Sequence, residues 1–169
     1  YVDSATGLPN RRYLLEQLSI ALEDRKPGIA MCVAAFRVHG LDRIAQAHGA
    51  ELADKLLSEA ARQIGEHLAE IGTGGTLLKQ ANTARVCRTS EAGLAMLIHS
   101  REPVENLPDL ICTALARVSG QPTNLGTEYL PAVSAGIALV DGDMTGAEQL
   151  LTNAQAASEQ AREPRSCER

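Results

Sequence analysis

The sequence predicts an α+β fold, a mixed and mostly antiparallel sheet flanked by helices around a ferredoxin-like core. Three observations point there. Two long apolar runs, IAMCVAAFRV (29–38) and LPAVSAGIALV (130–140), read as central strands buried on both faces. Between them ARVCR and LAMLIH flank the five small or polar residues TSEAG, the pattern of a hairpin. Amphipathic segments with helical spacing lie before, between and after these strands, so helices have a sheet to cover.

Taken in order, residues 3–8 are a loop, and Pro9 opens a helix that runs to Arg25 with Leu14, Leu15, Leu18 and Leu22 at helical spacing. Lys26-Pro27-Gly28 stops it. The first strand comes next, with Arg37 at its far end, where a charge reaches solvent. A short helix (40–48) ends at Gly49. A long helix (51–71) carries Leu52, Leu56, Ala60, Ile64 and Leu68 on one face, with Glu51, Asp54, Lys55, Glu59, Arg62 and Glu66 as solvated charges on the other. GTGG (72–75) terminates it, and LLKQ (77–80) reads as a short strand. The hairpin strands fall at 84–88 and 94–99, with Gly93 supplying the positive φ of a tight connection. Residues 104–118 form a helix whose first turn Pro108 makes irregular. After the strand at 130–140, a closing helix (146–162) leads to the polar tail EPRSCER.

At 169 residues the chain is expected to be one domain, 1–169, able to bury a core without staples. It opens with YVDSATG, which is no leader pattern, and the expectation is a domain cut from a longer protein. A net charge of -5, one Phe, three Tyr and no Trp argue against nucleic acid, because the stacking platforms are missing. No apolar run approaches the roughly 20 residues of a membrane span. Cys32, Cys87, Cys112 and Cys167 are too scattered for zinc, and the first three read as reduced core residues of a cytoplasmic protein. His39, His48, His67 and His99 lack neighbours that would complete a metal site. Ser90 lacks a base beside it in sequence, and Gly74-Gly75 lacks the strand and Lys of a phosphate loop.

Four segments in order, spanning nearly the whole chain, resemble the GGDEF (diguanylate cyclase) family. Asp3 precedes Thr6-Gly7-Leu8-Pro9-Asn10-Arg11, which match the family's opening signature. Gly49, Asp54 and Leu57 keep the frame of its second block. Arg88 and Ser90-Glu91-Ala92-Gly93-Leu94 align with the signature hairpin and its preceding arginine. Ser134-Ala135-Gly136 match a Ser-x-Gly strand, and Ala161-Arg162 align with the end of the last helix.

The resemblance implies a nucleotidyl-cyclase-like sandwich, and in active members two acidic positions hold two metal ions against the triphosphate of GTP. Here those positions align with Arg37 and with Ala92 and Gly93, so no metal, cofactor or catalytic residue is expected. Glu91, one place earlier, is expected to point to the other side of a strand-like backbone. The base-binding Asn aligns with Ala45, which leaves Asp54 as a vestigial guanine-site candidate. The glycines that seat phosphate are Ser90 and Glu91, and the product-binding inhibitory motif falls on Ala81 and Ala84. The opening signature is then expected to be structural, with Asn10 and Arg11 bonding backbone carbonyls while Leu8 tucks into the core.

The resemblance, with these departures, implies a catalytically silent regulatory, scaffolding or dimerisation module in bacterial cyclic-di-GMP signalling. Such modules often precede an EAL domain, as in twitching-motility regulators whose two halves are both degenerate. Partners are expected to be other domains of the same chain, a second copy or another protein, docked through the ends Tyr1–Asn10 and Arg162–Arg169. The alternative is a sensor that binds GTP or cyclic-di-GMP without turnover.

Overall fold

The computed structural model describes residues 1–71, 86–101, 103–118, 122, 132–140, 146–161 and 167–168. The helices are α1 (Arg11–Glu23), α2 (Leu41–His48), α3 (Ala50–Ile71), α4 (Leu107–Val118) and α5 (Ala147–Gln160). The strands are β1 (Ala30–Val38), β2 (Cys87–Arg88), β3 (Gly93–Ser100), β4 (Val133–Leu139) and β5 (Cys167–Glu168). They form one sheet in the order β2-β3-β1-β4-β5. All pairings are antiparallel except β4 with β5, so the expected mixed, mostly antiparallel α+β sandwich is what forms.

β1 is central, and its near-continuous apolar run has a simple cause: both its faces are covered. Successive side chains alternate sides. Cys32, Ala34, Phe36 and Val38 join the core beneath α2, α3 and α4. Met31, Val33 and Ala35 join a second core with Leu14 and Leu18 of α1 and Leu150, Leu151 and Ala154 of α5. Arg37 alone in this strand is exposed, at the end where the sheet meets solvent.

The α5 side closes unusually tightly at one point. A Cβ placed on Gly136 would overlap backbone atoms of Ala154, Ala157 and Ser158. Only hydrogen at this position lets α5 lie flush on β4. Around α2 the chain turns at Gly40 and Gly49, whose φ values of 82° and 96° lie in the left-handed region.

Several expectations need adjustment. Gly93 does not take a positive φ; it begins β3 in extended conformation. The described part of the first hairpin strand is Cys87–Arg88, and positions 77–80 and 84–85 lie outside the described residues. Residues 104–106 form a 3₁₀ turn before α4, as an early proline leads one to expect. The tail is not wholly loop, because Cys167–Glu168 pairs in parallel with Ala135 and Gly136. Cys32 and Cys87 are buried free thiols, the former pushed up to about 12 by burial. Cys112 is instead disulfide-bonded, contrary to the reduced core role expected of it. Among the described residues no helix is long and apolar enough to cross a membrane.

Candidate functional site

The first ten residues fold on themselves around Asp3. Its carboxylate accepts from the Thr6 amide at 2.9 Å and the Thr6 hydroxyl at 2.5 Å. Its backbone bonds Leu8 O and Gly7 N, with Gly7 at φ 75° permitting the turn. The Thr6 hydroxyl is the main reason the Asp3 carboxyl lies below the usual carboxylate range; burial opposes this, and Arg88 adds a smaller lowering. Asn10 ends the loop as the N-cap of α1, its Oδ1 accepting the Tyr13 amide at 3.0 Å. Arg11 reaches across to Glu148 of α5 at 3.3 Å, in solvent. The loop is held by its own hydrogen bonds, but among the described residues neither the Asn10 nor the Arg11 side chain bonds a backbone carbonyl as expected. Leu8 packs partly buried against the core.

Arg88 joins this loop to the rest. Its side chain is only 13% exposed and lies between two carboxylates, Nη1 to Asp3 at 3.1 Å and Nη2 to Asp54 at 3.0 Å. Its Nε donates to Ser90 O at 3.1 Å and its Nη2 to Glu91 O at 3.3 Å. One guanidinium therefore ties the opening loop, α3 and the hairpin tip together, using the fork geometry that a lysine lacks. The Arg88 amide also donates to Pro9 O at 2.8 Å. Asp54 is consequently not a solvated charge. Glu59 is not one either: it is buried and bonded by Arg62 and Gln63.

The other side of the hairpin is different. Arg37 lies opposite Gly93 on β3 and Ser134 on β4. A cavity of about 130 Å³ opens there, with Arg37, Thr89, Ser90, Gln155, Ser158 and Glu159 among its walls. Beside it His39 Nε2 stands 2.9 Å from Ser134 Oγ, whose own proton goes to Ser158 O at 3.3 Å. Burial, and secondarily the Arg37 charge, lower the His39 pKa and favour the neutral ring.

The family profile described as "Diguanylate cyclase, GGDEF domain" matches residues 1–166. The chain belongs to the GGDEF family.

Solved GGDEF structures share its fold. The FimX GGDEF domain from Pseudomonas aeruginosa is 19% identical with a TM-score of 0.78, over 99% of this chain and 98% of that one. Diguanylate cyclase SiaD from Pseudomonas aeruginosa, solved with its activator SiaC, is 22% identical with a TM-score of 0.74, over 98% of this chain and 60% of that one. The GGDEF domain of DgcB from Caulobacter crescentus, solved with c-di-GMP, is 17% identical with a TM-score of 0.72, over 99% and 94%. No curated protein matches the chain by sequence.

Within this GGDEF domain, the positions aligned with the family's metal ligands do come together, but their donor set does not fit a divalent ion. Arg37 and Gly93 face each other across β1 and β3, and Ala92 precedes Gly93. A guanidinium, a methyl group and a hydrogen supply none of the oxygen ligands such a cation requires. Glu91 is exposed at a tip of bends rather than strand, so simple alternation does not decide its direction. Ala45 is half-buried on α2, and Ala81 and Ala84 lie outside the described residues. Among the described residues no group of three or more His, Cys, Asp or Glu side chains is placed to hold a metal.

The histidines are dispersed: His48 is exposed at the end of α2, His67 sits on α3, and His99 is buried in β3 with its pKa lowered by burial. The residue that sequence reasoning undervalued is Arg88. Its place before the signature was visible, but its partners are 85 and 34 positions away.

Proposed function

We propose that this GGDEF domain forms no cyclic dinucleotide and serves cyclic-di-GMP signalling as a regulatory, scaffolding or dimerisation module. The observation that carries the reading is the chemistry at the strand end, where Arg37 replaces an acidic ligand and Ala92 and Gly93 replace the signature pair. A positive charge there opposes the cation it would have to share the site with. The ion pair between Asp54 and Arg88 adds support, because it engages the last retained candidate for reading guanine. Turnover-free binding of GTP or cyclic-di-GMP is the rival reading, and Ala45, Ala81 and Ala84 supply no polar group for it.

The work of the domain is then contact with other protein: an EAL domain in the same chain, a second copy or a separate regulator. SiaD, solved with its activator, is an example of a cyclase relative that engages a protein partner. We place the module in the cytoplasm, although the disulfide at Cys112 pulls the other way, since such bonds persist in oxidising compartments.

The deciding experiment incubates the purified domain with GTP and Mg²⁺ and tracks product by chromatography. No cyclic dinucleotide is expected, and product that disappears in Asp54→Ala refutes the reading. In the parent protein, deletion of the domain is expected to change oligomeric state or partner binding while cyclic-di-GMP affinity stays constant. Lost dinucleotide affinity with intact assembly favours the sensor.

A further inference from the structure

Four cysteines occur in the chain, and two of them are accounted for as thiols: Cys32 and Cys87 are free and buried. Burial pushes the Cys32 thiol up to about 12, which withholds the reactive thiolate. Cys112, on α4, is disulfide-bonded. The remaining cysteine is Cys167, in β5 at the outer edge of the sheet.

The topology puts these two positions on one side of the sheet. Cys167 pairs with Ala135 of β4 in parallel register, and residues paired across neighbouring strands share a face. Ala135 belongs to the core that includes Ile111 and Leu115 of α4. Position 167 therefore lies on the face that α4 covers, one strand outward from β4. Cys112 follows Ile111 and is half-buried, at the rim of that packed face. The described pairing of β5 spans two residues, Cys167 and Glu168. So short an edge strand has few backbone bonds of its own to keep it in place.

We propose that Cys112 and Cys167 form a reversible clasp, which fastens β5 to α4 when oxidised and lets the strand part from the sheet when reduced. Disulfides in a reducing compartment are usually transient and catalytic or redox-sensing, so the clasp agrees with the cytoplasmic placement proposed above. The exchange balances with glutathione disulfide as oxidant. One protein thiolate attacks a glutathione sulfur, and the second displaces glutathione from the mixed disulfide. Two protein thiols and one glutathione disulfide thus give the protein disulfide and two glutathione thiols, which carry away both electrons and both protons. The inference is independent of whether the domain binds or turns over GTP.

The test oxidises the purified domain with glutathione disulfide, alkylates the remaining thiols after unfolding, and maps the digest without reductant. A peptide joining Cys112 to Cys167 is expected, with Cys32 and Cys87 alkylated. Amide exchange is then compared before and after dithiothreitol. Reduction should speed exchange at 167 and 168 at least about tenfold and leave the pairing of β1 with β3 as it was. The melting temperature should fall by roughly 5–10 °C. Cys112→Ser and Cys167→Ser should each match the reduced state and ignore dithiothreitol, and the comparison of oxidised with reduced wild type stands even where a variant folds poorly. A digest with no linked peptide, a link from Cys112 to Cys32 or Cys87, or equal exchange at 167 and 168 in the two states overturns the proposal.

Discussion

Two arginines sit in adjacent rows of the same sheet and have opposite fates. Arg88 on β2 lies opposite Leu94 of β3, and Arg37 on β1 lies opposite Gly93. Because neighbouring strand positions face opposite sides, Arg88 meets α3 and the opening loop, while Arg37 meets the α5 side. The first finds two carboxylates and two carbonyls and is 13% exposed. The second finds no partner among the described residues and stays exposed. A saturated guanidinium is a fastener, and an unsaturated one beside a cavity is a free valence.

The largest change that can be made to this contrast lies under the open side. Gly136→Ala drives a methyl into the α5 backbone, an overpacking expected to cost about 3 kcal/mol. For a domain of this size that is a fall of roughly 10 °C in melting temperature. An unchanged melting curve would mean α5 is not seated as described. Next comes Arg88→Ala, which leaves Asp3 and Asp54 half-buried without their cation. The expected cost is about 2 kcal/mol, less than for a fully buried pair because each carboxylate is 26% exposed. Arg37→Ala should change stability by less than about 0.5 kcal/mol. Equal losses from the two arginines, read by urea unfolding, would erase the distinction between them.

Asn10→Ala, which removes the cap of α1, is expected to cost about 1 kcal/mol. Arg11→Ala, which loses only an exposed pair with Glu148, should cost well under that. A double-mutant cycle with Glu148 checks the smaller effect.

The gentlest test is pH. His39 and His99 both have folded pKa values below the ordinary 6.5, so the unfolded chain binds protons more readily than the folded one. Stability should therefore decline as pH falls below about 6.5 and level off beneath the folded values. Asp3, also lowered, acts in a separate window: its contribution is complete above the ordinary carboxylate range and is lost as pH falls further, through its folded value. By NMR, Arg37→Gln should raise the His39 pKa and leave that of His99 unchanged. A His39 that ignores the substitution would show that the Arg37 charge is neutralised after all.

Much of this was legible in the residues. The unbroken apolar run of β1 told of a strand covered twice, and the leucine spacing of α1 and α3 told which faces are buried. The opening signature announced a structured loop, and the family resemblance aligned Arg37, Ala92 and Gly93 with the metal-ligand positions. What stayed hidden depends on distance along the chain. Nothing local says that residues 3, 54 and 88 meet, so Asp54 looked like surface charge. Glu59 shows the converse: its spacing to Arg62 was readable, but its burial comes from tertiary packing that includes a bond from Gln63 to Pro122 O. Gly93 misled for a related reason, since glycine serves close approach here rather than a left-handed turn.

The contact at Gly136 also has a mechanical meaning. Where α5 crosses β4 the interface is backbone against backbone, with no side chain between them to change rotamer and absorb a displacement. The helix and the central strands then behave as one stiff plate. The turn of α5 that bears Gln155 and Glu159 is joined to β4 through the Ser134 bond to Ser158 O, and through Ser134 to His39. Amide exchange can read this directly: residues 154–158 and 135–137 should open together, with a common free energy, ahead of any opening at the hairpin tip being felt there.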